Sequence, residues 1–210
     1  MDEFPIKENS IEVSGKRLFI RLTAPKEQPP KLSVLLLHGI RFSSANWFTI
    51  KTLEVLADNG YHAVAIDLPG YGESKMTTTT DKVGELVPAS FLKEVCEALH
   101  LEQVVLISPS MSGMYSLPFV FEYPSMVKAF IPVAPICTNM FTPEQYASLQ
   151  VPSLIVYGDQ DAQLGKQSFD SLKNLANHKV MVMKGAGHAC YLDRPEEWNQ
   201  ALLKYLQSLV

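Results

Sequence analysis

Three residue types that together can carry out nucleophilic catalysis occur in the order serine, aspartate, histidine. Ser110 stands at the centre of Ile107-Ser108-Pro109-Ser110-Met111-Ser112-Gly113, where a predicted strand runs into a predicted helix. A turn of this kind holds its central residue at a strained backbone angle and exposes its side chain. Because a serine hydroxyl is a weak nucleophile until a base takes its proton, the rest of the sequence must supply that base.

The residues on either side of Ser110 decide which serine is the nucleophile. A sharp strand-to-helix turn needs small residues two positions before and after its centre, and Ser108 and Ser112 stand there in place of the usual glycines. If the turn were centred on Ser112, the large side chain of Met114 would occupy a position that needs a small residue. If it were centred on Ser108, Leu106 would occupy such a position. The sequence therefore predicts Ser110 as the nucleophile, and its use as a plain helix cap stays open as the alternative.

A histidine and two carboxylates follow the last two predicted strands. His188 ends the run Gly185-Ala186-Gly187-His188, whose glycines give the loop freedom to turn the imidazole inward. Asp159 and Asp161 both follow the preceding strand, and we choose Asp161 as the residue that orients His188, with Asp159 holding the turn. Asp193 is a third candidate, which we interpret as the cap of the final helix.

Acyl transfer also requires backbone N–H groups that stabilise a developing oxyanion. Folds that carry a nucleophile on a strand-to-helix turn place one donor in the loop after the third strand. In this sequence that loop is Leu37-His38-Gly39-Ile40-Arg41. The second donor is the amide of the residue after the nucleophile. We predict the amides of Ile40 and Met111 as this pair. His38 is interpreted as a loop hydrogen-bonding residue and Arg41 as an exposed cation.

The cysteines favour neither a disulfide framework nor a metal site. Three are present, too few and too scattered for either role: Cys96, Cys137 and Cys190. This pattern fits a reducing compartment. Cys190, two residues after His188, is interpreted as a small buried residue rather than a thiol nucleophile. We predict no metal and no resident cofactor, and no cofactor-binding residue is assigned.

Composition and charge exclude several classes of protein. The 210 residues, 47% of them hydrophobic, are typical of one domain over residues 1–210, which we predict to be monomeric. A net charge of −4 provides no basic face for direct nucleic-acid binding. The apolar runs fall far short of the roughly 20 residues of a membrane span, and Met1–Pro5 lacks the basic start of a signal peptide. A soluble, unprocessed protein is expected.

The pattern of apolar runs predicts an α/β fold. A mostly parallel sheet with helices on both faces is expected, since the later strands lack in–out alternation and helical stretches separate most of them. Only a turn or two of helix fits between Pro135 and Val151, which predicts no cap domain. The predicted helices are Trp47–Asn59, Phe91–Leu99, Ser110–Phe121 and a final one with Pro195 in its first turn. The eight predicted strands are Ile11–Val13, Leu18–Leu22, Val34–Leu37, Ala63–Ile66, Val104–Ile107, Ala129–Val133, Leu154–Tyr157 and Val180–Met183, the first two joined as a hairpin by Ser14-Gly15.

Taken in order, these motifs resemble those of the α/β-hydrolase superfamily over nearly the whole chain. The matching motifs are His38-Gly39, Asp67-Leu68-Pro69-Gly70-Tyr71-Gly72, the serine turn, Gly158-Asp159-Gln160-Asp161 and Gly187-His188. The resemblance narrows to a small, cap-less branch on three stretches: Leu35–Ser44, Ile107–Ser110 with Ser112–Pro118, and Pro132–Thr138. The resemblance implies Ser110, Asp161 and His188 as a catalytic triad acting on small acyl esters. It also implies a protein-lysine deacetylase that passes acetyl to coenzyme A as co-substrate, a cytoplasmic and nuclear location, and contact with a general transcription-factor subunit.

Two alternatives to this function remain. If water rather than coenzyme A accepts the acyl group, the protein is a simple carboxylesterase. The sequence does not distinguish between these two acceptors. An interaction module that binds the transcription-factor subunit with little turnover is the second alternative, because serines crowd the turn where glycines are usual. A dehalogenase or epoxide hydrolase would need an aspartate at position 110, and Ser110 argues against both.

Overall fold

The computed structural model describes residues 6–24 and 28–210, so Met1–Pro5, on which the signal-peptide prediction rests, lies outside them. The described strands form one eight-stranded sheet. They are β1 (Ile6–Val13), β2 (Lys16–Thr23), β3 (Ser33–Leu36), β4 (His62–Ile66), β5 (Val104–Pro109), β6 (Val127–Val133), β7 (Ser153–Gly158) and β8 (His178–Met183). The α-helices are α1 (Ser44–Thr49), α2 (Thr52–Asp58), α3 (Ser90–Ala98), α4 (Gly113–Glu122), α5 (Pro143–Ser148), α6 (Leu164–Leu172), α7 (Cys190–Asp193) and α8 (Pro195–Gln207).

The sheet order is β1-β2-β4-β3-β5-β6-β7-β8, with every pair from β4 to β8 parallel. β1 and β2 are antiparallel, and β2 runs antiparallel to β4. Ser14 and Gly15 turn the hairpin with φ of +50° and +74°, the left-handed geometry that suits a two-residue hairpin. The predicted mostly parallel sheet with a hairpin at one edge is confirmed.

Helices cover both faces of the sheet, as predicted. Apolar residues of α3, α4, α5 and α6 pack on one face. On the other face α1, α2, α7 and α8 pack, and the rings of Trp47, Tyr191 and Trp198 contact one another. All six residues of β5 are buried, which explains why that strand is almost continuously apolar.

The prediction of one helix over Trp47–Asn59 is wrong, because α1 and α2 are separate. Lys51 lies between them with a left-handed φ of +64°, which interrupts the helical hydrogen bonds. Asn199 of α8 holds the break: its Nδ2 donates to the Ile50 carbonyl at 2.8 Å, and its Oδ1 accepts from Thr52 Oγ1 at 2.7 Å.

The prediction that Asp193 caps the final helix is also wrong. α8 begins at Pro195 after Arg194, and no side chain caps it. The helix predicted over Ser110–Phe121 is present, starting as a 3₁₀ turn over Ser110–Ser112 before α4. Between β6 and β7 the structure holds only a 3₁₀ turn at Thr138–Met140 and α5, so no cap domain is inserted there. Among the described helices, none combines the length and hydropathy needed to span a bilayer.

Candidate active site

Ser110 lies where β5 ends and the chain turns into α4. Its φ of +48° is a strained value for a residue with a side chain. Ala134 and Cys137, in the loop after the neighbouring strand β6, also have positive φ, at +44° and +68°. The two loops are joined by the Ile136 N–H, which donates to the Ser110 carbonyl at 2.9 Å. Three strained residues therefore lie beside one another, as is typical of functional sites.

The structure brings the three side chains predicted from the sequence into one hydrogen-bonded chain. His188 Nε2 lies 2.7 Å from Ser110 Oγ, and His188 Nδ1 lies 2.6 Å from Asp161 Oδ2. Because the carboxylate accepts from Nδ1–H, the neutral ring presents an unprotonated Nε2 that accepts the serine proton. The alternative of Ser110 as a helix cap is wrong, since no side chain caps this turn and the hydroxyl contacts His188.

Two further aspartates position the loop that carries His188. Asp159 Oδ1 accepts from the Gly185 N–H at 2.8 Å, and Asp193 Oδ2 accepts from the Gly187 N–H at 2.8 Å. The side chain of Asp161 is 8% exposed, whereas that of His188 is 37% exposed. Asp159 and Asp193 thus fix the backbone of the loop, and Asp161 is the aspartate that contacts the imidazole.

The two amides predicted as oxyanion donors are placed beside the nucleophile. A Cβ built on Gly39 would lie 3.6 Å from Ser110 Cβ, so the loop carrying Ile40 passes next to Ser110. Met111 is in the first turn of a helix, where amides lack helical acceptors. Within residues 6–24 and 28–210 neither amide donates a hydrogen bond to a protein atom.

His38 holds the peptide group that contains the Ile40 amide. Its Nδ1 donates to the Gly39 carbonyl at 2.8 Å, and its Nε2 accepts from the Leu68 N–H at 3.0 Å. Since the Gly39 carbonyl and the Ile40 N–H share one peptide plane, fixing the oxygen fixes the direction of the N–H. Burial lowers the pKa of His38, which keeps the ring in the neutral form that this pair of contacts requires.

A chain of three buried hydroxyls supports the turn at Ser110. Ser112 Oγ donates to the Pro109 carbonyl at 2.7 Å, while Ser108 Oγ lies 3.0 Å from Ser112 Oγ and 2.6 Å from Ser116 Oγ. Each hydroxyl has one proton, so the direction is fixed as Ser116 to Ser108 to Ser112 to the carbonyl. The serines that replace glycine are therefore hydrogen-bonded rather than colliding. Sequence reasoning missed Ser116, although its four-residue spacing from Ser112 places both on one helix face.

A cavity of about 340 Å³ opens onto Ser110 and His188. Its walls are largely apolar, and Arg41 contributes a cation at the same cavity. Sequence reasoning did not identify most of the apolar lining, because these residues come from distant segments: Phe42, Val133, Leu164, Ala189 and Tyr191. Cys190 is fully buried, and burial raises the pKa of its thiol to about 12, so it is not a thiolate near neutral pH. Within the described ranges no cluster of three or more potential metal ligands occurs.

Comparisons with known proteins agree with this geometry. A family described as "alpha/beta hydrolase fold" matches residues 33–147, more than half of the chain. A Homo sapiens relative named "Putative protein-lysine deacylase ABHD14B" is 55% identical over 203 residues, covering 97% of this chain and 96% of the relative. "Protein ABHD14A" of Danio rerio is 43% identical, over 91% of this chain and 72% of that protein.

Solved structures show the same fold. A predicted CIB-like hydrolase from Thermoplasma acidophilum superposes with a TM-score of 0.87 at 24% identity, covering 98% of this chain and 99% of that one. Carboxylesterase CesB from Bacillus subtilis superposes with a TM-score of 0.77 at 19% identity, covering 97% and 92%. The family match and the extent of identity to these relatives establish that the chain belongs to the alpha/beta hydrolase fold family and is a hydrolase.

Proposed function

We propose that the protein is a serine hydrolase that works through an acyl-enzyme intermediate on Ser110. The observation that carries the proposal is the hydrogen-bonded chain from Ser110 through His188 to Asp161. Ser110 Oγ attacks the acyl carbonyl while His188 Nε2 takes its proton, and Asp161 stabilises the imidazolium that forms. The amides of Ile40 and Met111 donate to the developing oxyanion. His188 then gives its proton to the leaving amine or alcohol.

The proposed substrates are acylated lysine side chains of proteins and small acyl esters. Relatives named as putative protein-lysine deacylases support the first class. The open approach to Ser110, with no cap domain between β6 and β7, supports a substrate attached to a protein surface. A deacylase of this kind would meet its substrates in the cytoplasm and nucleus, which are the compartments we propose.

An active-site probe tests the acyl-enzyme mechanism. A fluorophosphonate reacts with a serine whose proton is taken by a neighbouring histidine, so we expect labelling of the wild-type protein and none of Ser110→Ala. Absence of labelling in folded wild-type protein would overturn the proposal. It would favour instead an interaction module, with a general transcription-factor subunit as the proposed partner.

The acceptor of the acyl group is a second part of the proposal. We propose that the thiol of coenzyme A competes with water for acyl-Ser110, and Arg41 supplies a cation beside the cavity that suits its phosphates. The thiol attacks the acyl carbonyl while His188 takes its proton, and His188 then returns that proton to Ser110 Oγ as the bond from the acyl carbon to this oxygen breaks. Incubation of an acetyl-lysine peptide with and without coenzyme A should yield acetyl-coenzyme A only in the first case. Free acetate as the sole product in both would leave water as the acceptor.

A further inference from the structure

A second cavity, of about 430 Å³, lies next to the one that opens onto Ser110, and Leu164 lines both. Its walls come from the loop after β6, around the strained residue Cys137, and from α6. Apart from Leu164, the residues that line the second cavity have no part in acyl transfer at Ser110. Its volume is within the range of small-ligand sites.

Polar side chains that lack protein partners line this second cavity. The side chains of Thr138, Asn139 and Gln167 make no hydrogen bond to any other residue in the described part of the chain. Thr138 is 5% exposed, and Asn139 and Gln167 are exposed at the rim. A carboxamide offers two donors and one acceptor, the groups needed to pair with a peptide's carbonyl and N–H. The lining therefore offers hydrogen-bonding groups for a peptide backbone beside apolar contacts for its side chains.

The two cavities differ in chemistry on either side of Leu164. The first is walled largely by apolar side chains such as Phe42 and Val133, whereas the second adds amides and hydroxyls to a partly apolar wall. An acylated lysine has the same division, because its acyl group and methylenes are apolar and its peptide backbone is polar. We propose, building on the proposed deacylase function, that the second cavity binds the peptide segment flanking the acylated lysine.

One charged side chain, Asp170, is among the described residues that line the second cavity. Its ion pair with Lys173 is long, at 3.6 Å, and both side chains are more than half exposed, so the carboxylate remains open to a second cation. The bound segment should therefore prefer a basic residue beside the acylated lysine.

Kinetics with two substrates test the peptide site. The variant carrying Asn139→Ala and Gln167→Ala should raise KM for an acetyl-lysine peptide by about tenfold with kcat unchanged, because both losses affect binding alone. Its hydrolysis of p-nitrophenyl acetate, which has no peptide, should be unchanged. Gln207→Ala, an exposed glutamine on α8 that lines neither cavity, is the matched control and should change neither reaction.

The outcomes separate this inference from the proposed function. An unchanged KM for the peptide in the double variant, or an equal loss on both substrates, would overturn the peptide site. Wild-type protein that hydrolyses the ester but not the peptide would also overturn it while leaving the serine hydrolase intact. Failure on both substrates, with no fluorophosphonate labelling, would refute the proposed function itself.

A charge series adds an independent measurement. Wild-type protein should have a several-fold higher kcat/KM for a peptide with Arg beside the acetyl-lysine than for one with Glu there, and Asp170→Asn should remove that preference. A preference that persists unchanged in Asp170→Asn would contradict the placement of the flanking residue in this cavity.

Discussion

At the scale of single residues, three aspartates near His188 have three different partners. Asp161 contacts the imidazole, Asp159 holds Gly185, and Asp193 holds Gly187. By position in the sequence, Asp159 and Asp161 are equally suited to contact His188, since both follow β7 within three residues. Which of them faces the histidine depends on the direction of the turn, which residue types alone do not specify.

This division of roles predicts different effects of two matched substitutions. Asp161→Asn should lower kcat for a small ester by about 10³-fold or more, because the amide no longer stabilises the imidazolium. Asp159→Asn should lower it far less, since that side chain accepts from the Gly185 N–H and from Gln160 Nε2 and does not contact the imidazole. Steady-state kinetics with p-nitrophenyl acetate measure both, and similar losses in the two variants would contradict the assignment.

The hydroxyl chain below Ser110 gives a second prediction at this scale. Ser112→Ala removes the donor to the Pro109 carbonyl and the acceptor for Ser108, so we expect a loss of about 1–3 kcal/mol in the free energy of unfolding and a lower kcat. Ser116→Ala, at the far end of the chain, leaves both of those contacts in place and should cost less. Urea denaturation measures the two variants, and a larger loss in Ser116→Ala would refute the assigned direction of the protons.

At the scale of elements, apolar runs located all eight strands but not all their limits. β1 begins at Ile6, five residues before the predicted start, because polar residues interrupt the apolar pattern of an edge strand. The break between α1 and α2 depends on Asn199, 147 residues from Thr52 in the sequence, so no local pattern at Lys51 could predict it. Local periodicity thus specified the elements, and contacts between distant segments set their ends.

The close approach of β7 to the loop after β8 gives a prediction for Gly158. A Cβ at this position would overlap the carbonyl oxygens of Ala186 and Gly187, which are backbone atoms of the loop that carries His188. Gly158→Ala should therefore displace the imidazole and lower kcat by at least about tenfold.

Gly15→Ala provides the matched control for that substitution. Nothing lies within 4 Å of a Cβ at Gly15, and its positive φ makes alanine costly only for the hairpin turn. We expect a lower Tm with kcat unchanged. A Gly158→Ala variant with full activity and normal melting would show that the loop tolerates the displacement.

At the scale of the whole molecule, the sheet has an apolar core on each face. Most polar side chains buried there are hydrogen-bonded, and Thr23 Oγ1 and Trp198 Nε1 are the exceptions among the described residues. His38 is one of the hydrogen-bonded side chains, at 1% exposure. The sequence identified His38 as a loop residue, but its burial and its second partner, Leu68, come from the packing of two loops. The two cavities likewise arise from segments that are far apart in the chain, which is why the second one had no sequence signal.

The burial of His38 predicts how stability depends on pH. Its pKa is lowered from the ordinary value of 6.5, so below about pH 6.5 the unfolded chain takes up a proton that the folded protein does not. The contribution of neutral His38 to the free energy of unfolding is therefore complete above about pH 6.5, and it is lost as the pH falls toward the folded-state pKa. Half-buried His62 shifts in the same direction.

A variant isolates the contribution of His38. His38→Asn should be less stable than wild type at pH 7.5, yet its stability should fall less steeply on acidification, by up to about 1.4 kcal/mol per pH unit. Urea midpoints at pH 7.5, 6.5 and 5.5 measure the slopes. Parallel slopes for the two proteins would mean that His38 does not titrate on unfolding.

The order of the strands also bears on a chain that is still being translated. Ser110 is 78 residues ahead of His188, so at 5–20 residues per second the ribosome adds the histidine about 4–16 s after the serine. β5 and its turn can emerge during that interval with no imidazole available to take the proton. A nascent chain, or a product of premature termination before residue 188, would therefore present an inert alcohol to metabolites in the cell.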